Sequence, residues 1–168
     1  MRVSHNAAVL TQKTDLISIN PEWFIMGCAL HDIGKMNIPL DIINKPGKLS
    51  AEQRSIINSH TIDGIHLVDE LPLDIHMCIL LHHEREDGSG YPFGLKNYQI
   101  PNFCKVLSVL DVLDALTSQR TYNHPITDLN TLENEMFISN LNRYYVEKII
   151  KLVKSGSLIT EKELTLYD

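Results

Sequence analysis

Residues 82–92 read His-His-Glu-Arg-Glu-Asp-Gly-Ser-Gly-Tyr-Pro, and His31-Asp32-Ile33-Gly34-Lys35 stands well upstream. His60 lies between these two segments, and Asp111 follows them among leucines and valines. Imidazoles and carboxylates at this density are the material of a metal site. Taken singly, each residue has a plainer role. A histidine on an apolar helix face is more often a hydrogen-bonded core residue than a ligand. Asp32 alone serves as a cap or an ion-pair partner, Lys35 as a charge at a helix end, and Gly88, Gly90 and Pro92 as a turn. Taken together, these readings fail. Buried imidazoles and carboxylates with no cation among them leave polar groups unsatisfied, at a cost a small domain cannot carry. Two divalent metals resolve the cluster, and Asp32, with two oxygens, is suited to bridge them. Ligands of nitrogen and oxygen without cysteine favour Fe or Mn, with Zn as a further option. Bridged metals roughly 3.5–4 Å apart are a common apparatus for phosphoester hydrolysis.

The elements that must position these residues are helical. Asn20 reads as an N-cap and Pro21 as a first helical residue, after which Phe24, Gly27, Cys28 and His31 share one face. Gly34 is expected to end that helix in a left-handed conformation. Residues 37–49 read as a loop with one short turn. Ser50 opens the next helix with Gln53 in the capping-box position, and Ile56 and Ile57 one turn before His60 point that histidine inward. Pro72 begins a helix in which Ile75, Ile79 and Leu80 lead to His82 and His83. Residues 85–98 are too polar for core and too long for a simple turn, the usual mark of a functional loop. Pro101 precedes a strongly apolar helix that carries Asp111 and Asp114 about one turn apart. Two further helices are expected over roughly 129–141 and 143–153, and then a frayed tail or short cap. No strand, repeat or low-complexity tract is expected.

The chain has 168 residues, 43% hydrophobic and 21% charged, with a formal net charge of −6. One domain is expected at this length. The acidic balance argues against a protein that grips long nucleic acid by its backbone. It does not exclude a small phosphate ligand, because bound metals reverse the local charge. Cys28, Cys78 and Cys104 lie far apart in apolar stretches and form no CxxC pair, as expected of reduced core thiols. The longest apolar run, Trp23 to Leu30, is too short to insert across a membrane. A cytoplasmic location is the expectation.

At this point the sequence resembles the HD-GYP domains, a branch of the HD phosphohydrolases that hydrolyses cyclic di-GMP. The resemblance spans residues 5–123 and rests on several ordered motifs. These are His31-Asp32-Ile33-Gly34-Lys35, Ile38-Pro39, Lys45-Pro46-Gly47-Lys48-Leu49, His60, all of 82–92, and Asp111-Val112-Leu113-Asp114-Ala115-Leu116-Thr117-Ser118 with Arg120. It implies an all-α fold, an HD-domain helical bundle with the metals between helices, and a single such domain over 1–168 whose C-terminal helices match weakly. By the same resemblance, His31 and Asp32 are the superfamily's metal-binding pair. His60, His82 and His83 hold the second metal, Asp111 holds the first, and His5 joins as an early ligand. Asp32 and Lys35 are the implied catalytic residues, with Lys35 near the scissile phosphate. Gly90, Tyr91, Pro92, Asp114 and Arg120 are the implied substrate contacts. The implied partners are cyclic di-GMP and a diguanylate cyclase (GGDEF) domain.

The chain also departs from the family pattern. Met1 stands where some members carry a glutamate that binds a third metal, and the segment from His5 to His31 is shorter than usual. Arg120-Thr121-Tyr122-Asn123 replaces a more usual Arg-Pro-Tyr followed by a basic residue, so one phosphate-binding cation is lost. Two rivals to a cyclic di-GMP phosphodiesterase follow. One is a phosphohydrolase for another cyclic dinucleotide or a nucleotide, which the same metal site would serve. The other is a catalytically silent module that binds ligand or a partner domain.

Overall fold

The computed structural model describes residues 2–119 and 125–160. Its helices are α1 (Arg2–Lys13), α2 (Pro21–Leu30), α3 (Leu40–Ile43), α4 (Ala51–Asn58), α5 (His60–His66), α6 (Leu73–Leu81), α7 (Asn102–Thr117), α8 (Leu129–Ile138) and α9 (Arg143–Lys154). Short 3-10 turns cover Ile33–Asn37 and Asn97–Gln99. The all-α expectation holds. Among the described residues there is no named strand, and the isolated bridge between Asp87 and Lys96 only pins the two sides of a loop. No described helix is long and apolar enough to cross a membrane.

Local chemistry sets the starts of the helices. The Asn20 side chain accepts the Glu22 N–H at 2.8 Å, with Pro21 as the first residue of α2. Ser50 and Gln53 form a reciprocal capping box at α4. Pro72 and Pro101 stand just ahead of α6 and α7.

Helix α2 packs between α1 and α6, and α7 runs beside α1, α6 and α9. The core they share includes Leu10, Phe24, Cys28, Cys78, Leu107 and Leu110. Helices α8 and α9 extend it through Leu132, Met136, Val146 and Ile149. All three cysteines are free and buried, as expected.

Two local expectations need correction. Gly34 does not end a helix in a left-handed conformation. It lies inside the 3-10 turn and is not among the glycines with positive φ. Its lack of a side chain serves contact: a Cβ there would lie 2.0 Å from the His60 carbonyl oxygen and 2.7 Å from Gly64 N. Second, Ile56 does not share the inward face of His60. It is 41% exposed, because the helix is interrupted at Ser59 and His60 begins the separate α5. Of the two readings of the C-terminal tail, its described part fits the short cap. Leu158 is buried, and Asn6 exchanges two hydrogen bonds of 2.8 Å with the backbone of Ile159.

Candidate metal centre

The site forms where helix ends meet the middle of one long helix. His31 caps the C-terminus of α2, and Asp32 follows it at the head of the 3-10 turn. His60 opens α5 directly behind α4, and His82 caps the C-terminus of α6. Asp111 sits within α7. Short connections on the far side of these junctions hold the ends together. The Ser108 hydroxyl of α7 donates to the His82 carbonyl at 2.6 Å.

Three histidines are oriented alike. Nδ1 of His31, His60 and His82 lies 2.8, 2.7 and 2.8 Å from the carbonyls of Cys28, Ile57 and Ile79, each three residues earlier. A carbonyl only accepts, so each Nδ1 carries the proton and each Nε2 presents a lone pair. These lone pairs converge. His60 Nε2 lies 3.3 Å and His82 Nε2 3.7 Å from Asp32 Oδ1. The two Nε2 atoms lie 3.4 Å apart. His31 Nε2 lies 3.5 Å from Asp32 Oδ2 and 3.6 Å from Asp111 Oδ1. Acceptors facing acceptors repel unless a cation sits among them. Asp32 Oδ1 is buried and has no hydrogen-bond partner. The residues present therefore fit a metal.

Two overlapping groups are placed to hold one: Asp32, His60, His82 and His83 in the first, and His31, His82 and Asp111 in the second. His82 belongs to both groups. The electrostatics agree with a cation site. Burial pushes Asp32 toward its neutral form, but the His60, His82 and His31 rings and Lys35 hold its carboxyl well below the usual carboxylate range. Burial acts on Asp111 in the same way, and the neighbouring His31 outweighs it. Burial lowers His82, and lowers His83 to about 2, so both rings are neutral. Neutral imidazole and ionised carboxylate are the forms that ligate. His31 goes the other way: burial lowers it, but the Asp111 and Asp32 carboxylates beside it outweigh burial and raise it, so a bound cation would have to replace the proton it otherwise holds.

His5 is not brought to the cluster. It is exposed on α1 and belongs to neither group. The reason is helical phase: Val3, Ala7 and Leu10 turn inward and leave His5 on the opposite face. The same helix sends Arg2 to the site. Arg2 Nε donates to Asp114 Oδ1 at 2.7 Å, and its Nη2 donates to Ser118 Oγ. Asp114 is thus ion-paired at the rim of a cleft of about 510 Å³. Arg2, His31, Asp32, Met36, Asp111 and Asp114 are among the lining residues. Lys35 Nζ donates to Asp32 Oδ2 at 2.6 Å. Arg120 and Asn123 lie outside the described residues.

Gly90, Tyr91 and Pro92 form a wall beside the cluster. The Tyr91 ring stacks on His83 with centroids 4.7 Å apart. A Cβ on Gly90 would lie 2.4–2.5 Å from Arg85 N, Glu84 Cα and His83 O, so only glycine lets the loop fold back this closely. Sequence reasoning assigned no role to Glu84. Its side chain is buried and accepts the N–H groups of Phe93 at 2.7 Å and Leu95 at 2.8 Å. The sequence offered little signal beyond a carboxylate placed directly after a histidine pair. Glu84→Gln turns one acceptor toward a donor. The expected cost is about 2 kcal/mol, a fall in melting temperature of about 4–8 °C at this chain length. Differential scanning calorimetry checks it, and an unchanged melting temperature would remove Glu84 as the anchor of the loop.

Residues 1–136 match the family model described as HD domain. The chain is 44% identical over 97 residues to a cyclic di-GMP phosphodiesterase of Pseudomonas aeruginosa, covering 55% of this chain and 23% of that one. It is 35% identical over 145 residues to a cyclic di-GMP phosphodiesterase of Thermotoga maritima, covering 80% and 38%. It is 34% identical over 156 residues to the 3′3′-cGAMP-specific phosphodiesterase 2 of Vibrio cholerae, covering 90% and 28%. The chain thus spans 23–38% of the length of these relatives. Among solved structures, an HDG"Y"P protein from Bdellovibrio bacteriovorus shares the fold. Its TM-score is 0.71 at 21% identity, over 91% of this chain and 50% of that one.

Proposed function

The chain belongs to the HD domain family, and from that footing we propose that it is a metal-dependent phosphodiesterase that opens cyclic di-GMP to the linear dinucleotide. The observation that carries this reading is the ring of Nε2 lone pairs around the partnerless Oδ1 of Asp32. His31, Asp32, His60, His82, His83 and Asp111 would hold two divalent ions, Fe or Mn in first place. Such a pair supplies charge neutralisation on phosphate oxygens and a water acidified to act near neutral pH. The protein's own groups do the rest. Lys35 has a half-exposed side chain and an anchored ammonium, so it is positioned to meet the leaving oxygen at the mouth of the cleft. Arg2 and Asp114 fix the rim, and Tyr91 excludes water from the His83 side.

The lysine role is testable. Lys35→Ala is expected to retain metal and to lose on the order of 10²-fold or more in kcat, the usual scale for an acid–base group. A charge that only decorates a helix end predicts a near-normal rate and a stability loss under about 1 kcal/mol.

The relatives named for 3′3′-cGAMP favour a second substrate reading, and one assay separates them. Purified Mn- or Fe-loaded protein is offered cyclic di-GMP and 3′3′-cGAMP, and products are resolved by chromatography. The proposal expects faster turnover of cyclic di-GMP. Turnover of 3′3′-cGAMP alone reassigns the substrate, and turnover of neither supports the silent module. The full ligand set argues against that last reading, because buried polar ligands are costly to keep without their ion.

A further inference from the structure

A second cleft, of about 520 Å³, borders the cluster through Tyr91. Arg54, Ser55 and Asn58 of α4 line one wall, and Ile62, Tyr91 and Pro92 the other. Its inner end is part of the site: the Tyr91 ring stacks on His83 and lies 6.3 Å from the His60 ring. The cluster thus borders two clefts of similar volume, one through His31, Asp32 and Asp111 and one through Tyr91 beside His60 and His83.

The second cleft has the chemistry of a nucleotide seat. Ile62, Tyr91 and Pro92 offer an apolar wall for a flat base. Arg54 supplies a cation. Its side chain is exposed and makes no hydrogen bond or ion pair among the described residues. Arg54 also lines an adjoining cavity of about 170 Å³ with Lys45 and Lys48. A local run of cations stands out on a chain of net charge −6. The Asp63 carboxylate is engaged by the hydroxyl of Ser59, a lining residue, at 2.7 Å.

Resting on the proposed function, we propose that this cleft seats the second, uncut nucleotide of the cyclic dinucleotide, with Arg54 binding the phosphate that is not cleaved. A two-nucleotide ring held with one phosphate at Asp32 must extend to both sides, and the two clefts receive its two halves. Charge-assisted hydrogen bonds to phosphate are the strong kind, and Arg meets phosphate with a planar fork.

The test compares cyclic di-GMP with bis(p-nitrophenyl) phosphate, a minimal diester with one phosphate. In metal-loaded Arg54→Ala, KM for cyclic di-GMP is expected to rise about tenfold, with kcat within a factor of about two. Cleavage of the minimal diester is expected to be unchanged, and Arg54→Lys to recover part of the loss. A parent protein that turns over cyclic di-GMP with a KM indifferent to Arg54 overturns the seat and leaves the proposed function standing. A parent protein that cleaves the minimal diester but not cyclic di-GMP overturns the substrate reading itself, and the seat with it.

Discussion

Asp32→Ala is expected to lose at least one metal ion per chain and to abolish hydrolysis. The carboxylate lies within 3.7 Å of three ring nitrogens and 2.6 Å of Lys35. Its Oδ1 faces His60 and His82 and its Oδ2 faces His31, so it reaches both metal-holding groups. Its removal takes away a bridge as well as one ligand. The loss is therefore expected to exceed the ~10²–10³-fold cost of deleting a single transition-state hydrogen-bond donor. Elemental analysis of the purified variant, beside circular dichroism to show that it folds, decides the matter. Unchanged metal content in a folded Asp32→Ala protein would falsify the bridging assignment.

Gly34→Ala is expected to be the most damaging methyl addition in the chain. The new Cβ would meet the His60 carbonyl oxygen at 2.0 Å and the His60 carbonyl carbon at 2.8 Å. Those atoms are backbone and cannot swing aside, so the 3-10 turn must move from α5. Overpacking of this kind costs about 3 kcal/mol at the upper end of its usual range, or about 6–12 °C in melting temperature. The damage extends to the metal site, because the displaced peptide carries His60 and the moving turn carries Asp32 and Lys35. Metal affinity is expected to fall by at least tenfold, a loss typical even of groups that only orient ligands. Melting curves and competitive metal titration measure the two effects. A variant with parental values for both would show that the turn has slack that the close approach denies.

Much of the site was legible before the fold was known, because helix periodicity and ligand chemistry agree. His31, His60, His82 and Asp111 each follow apolar residues at helical spacing, and the structure brings them together. The helix starts were equally plain, since Asn20, Ser50, Pro72 and Pro101 act on their immediate neighbours. What failed depends on distant partners. Gly34 was given a local backbone role, while its real constraint is a peptide in another helix. Ser59 breaks its helix without glycine or proline, and so left no mark in the sequence. His5 was placed by family resemblance, and the inward face of α1 turns it away. Asp114 read as a substrate contact, and only the folded chain shows Arg2 holding it. Glu84 shows the same limit, since its partners are main-chain N–H groups, which carry no sequence identity.

The shared orientation of His31, His60 and His82 reaches beyond tautomer choice. The carbonyls that bind their Nδ1 atoms belong to the final turns of α2, α4 and α6. A helix carries partial negative charge at that end, and none of these last turns contains a basic residue. Arg85 answers only the carbonyls of His82 and Glu84, further along. Three macrodipoles thus aim their negative poles through imidazole rings at one point, where Asp32 and Asp111 add to the field and Lys35, paired with Asp32, offsets part of it. Such a pocket draws cations and repels phosphate until its charge is reversed. In the proposed two-metal site this implies an order of loading: ions would enter first, and an anionic substrate would be admitted only afterwards. Phosphate binding at such a centre would in effect be a readout of metal supply.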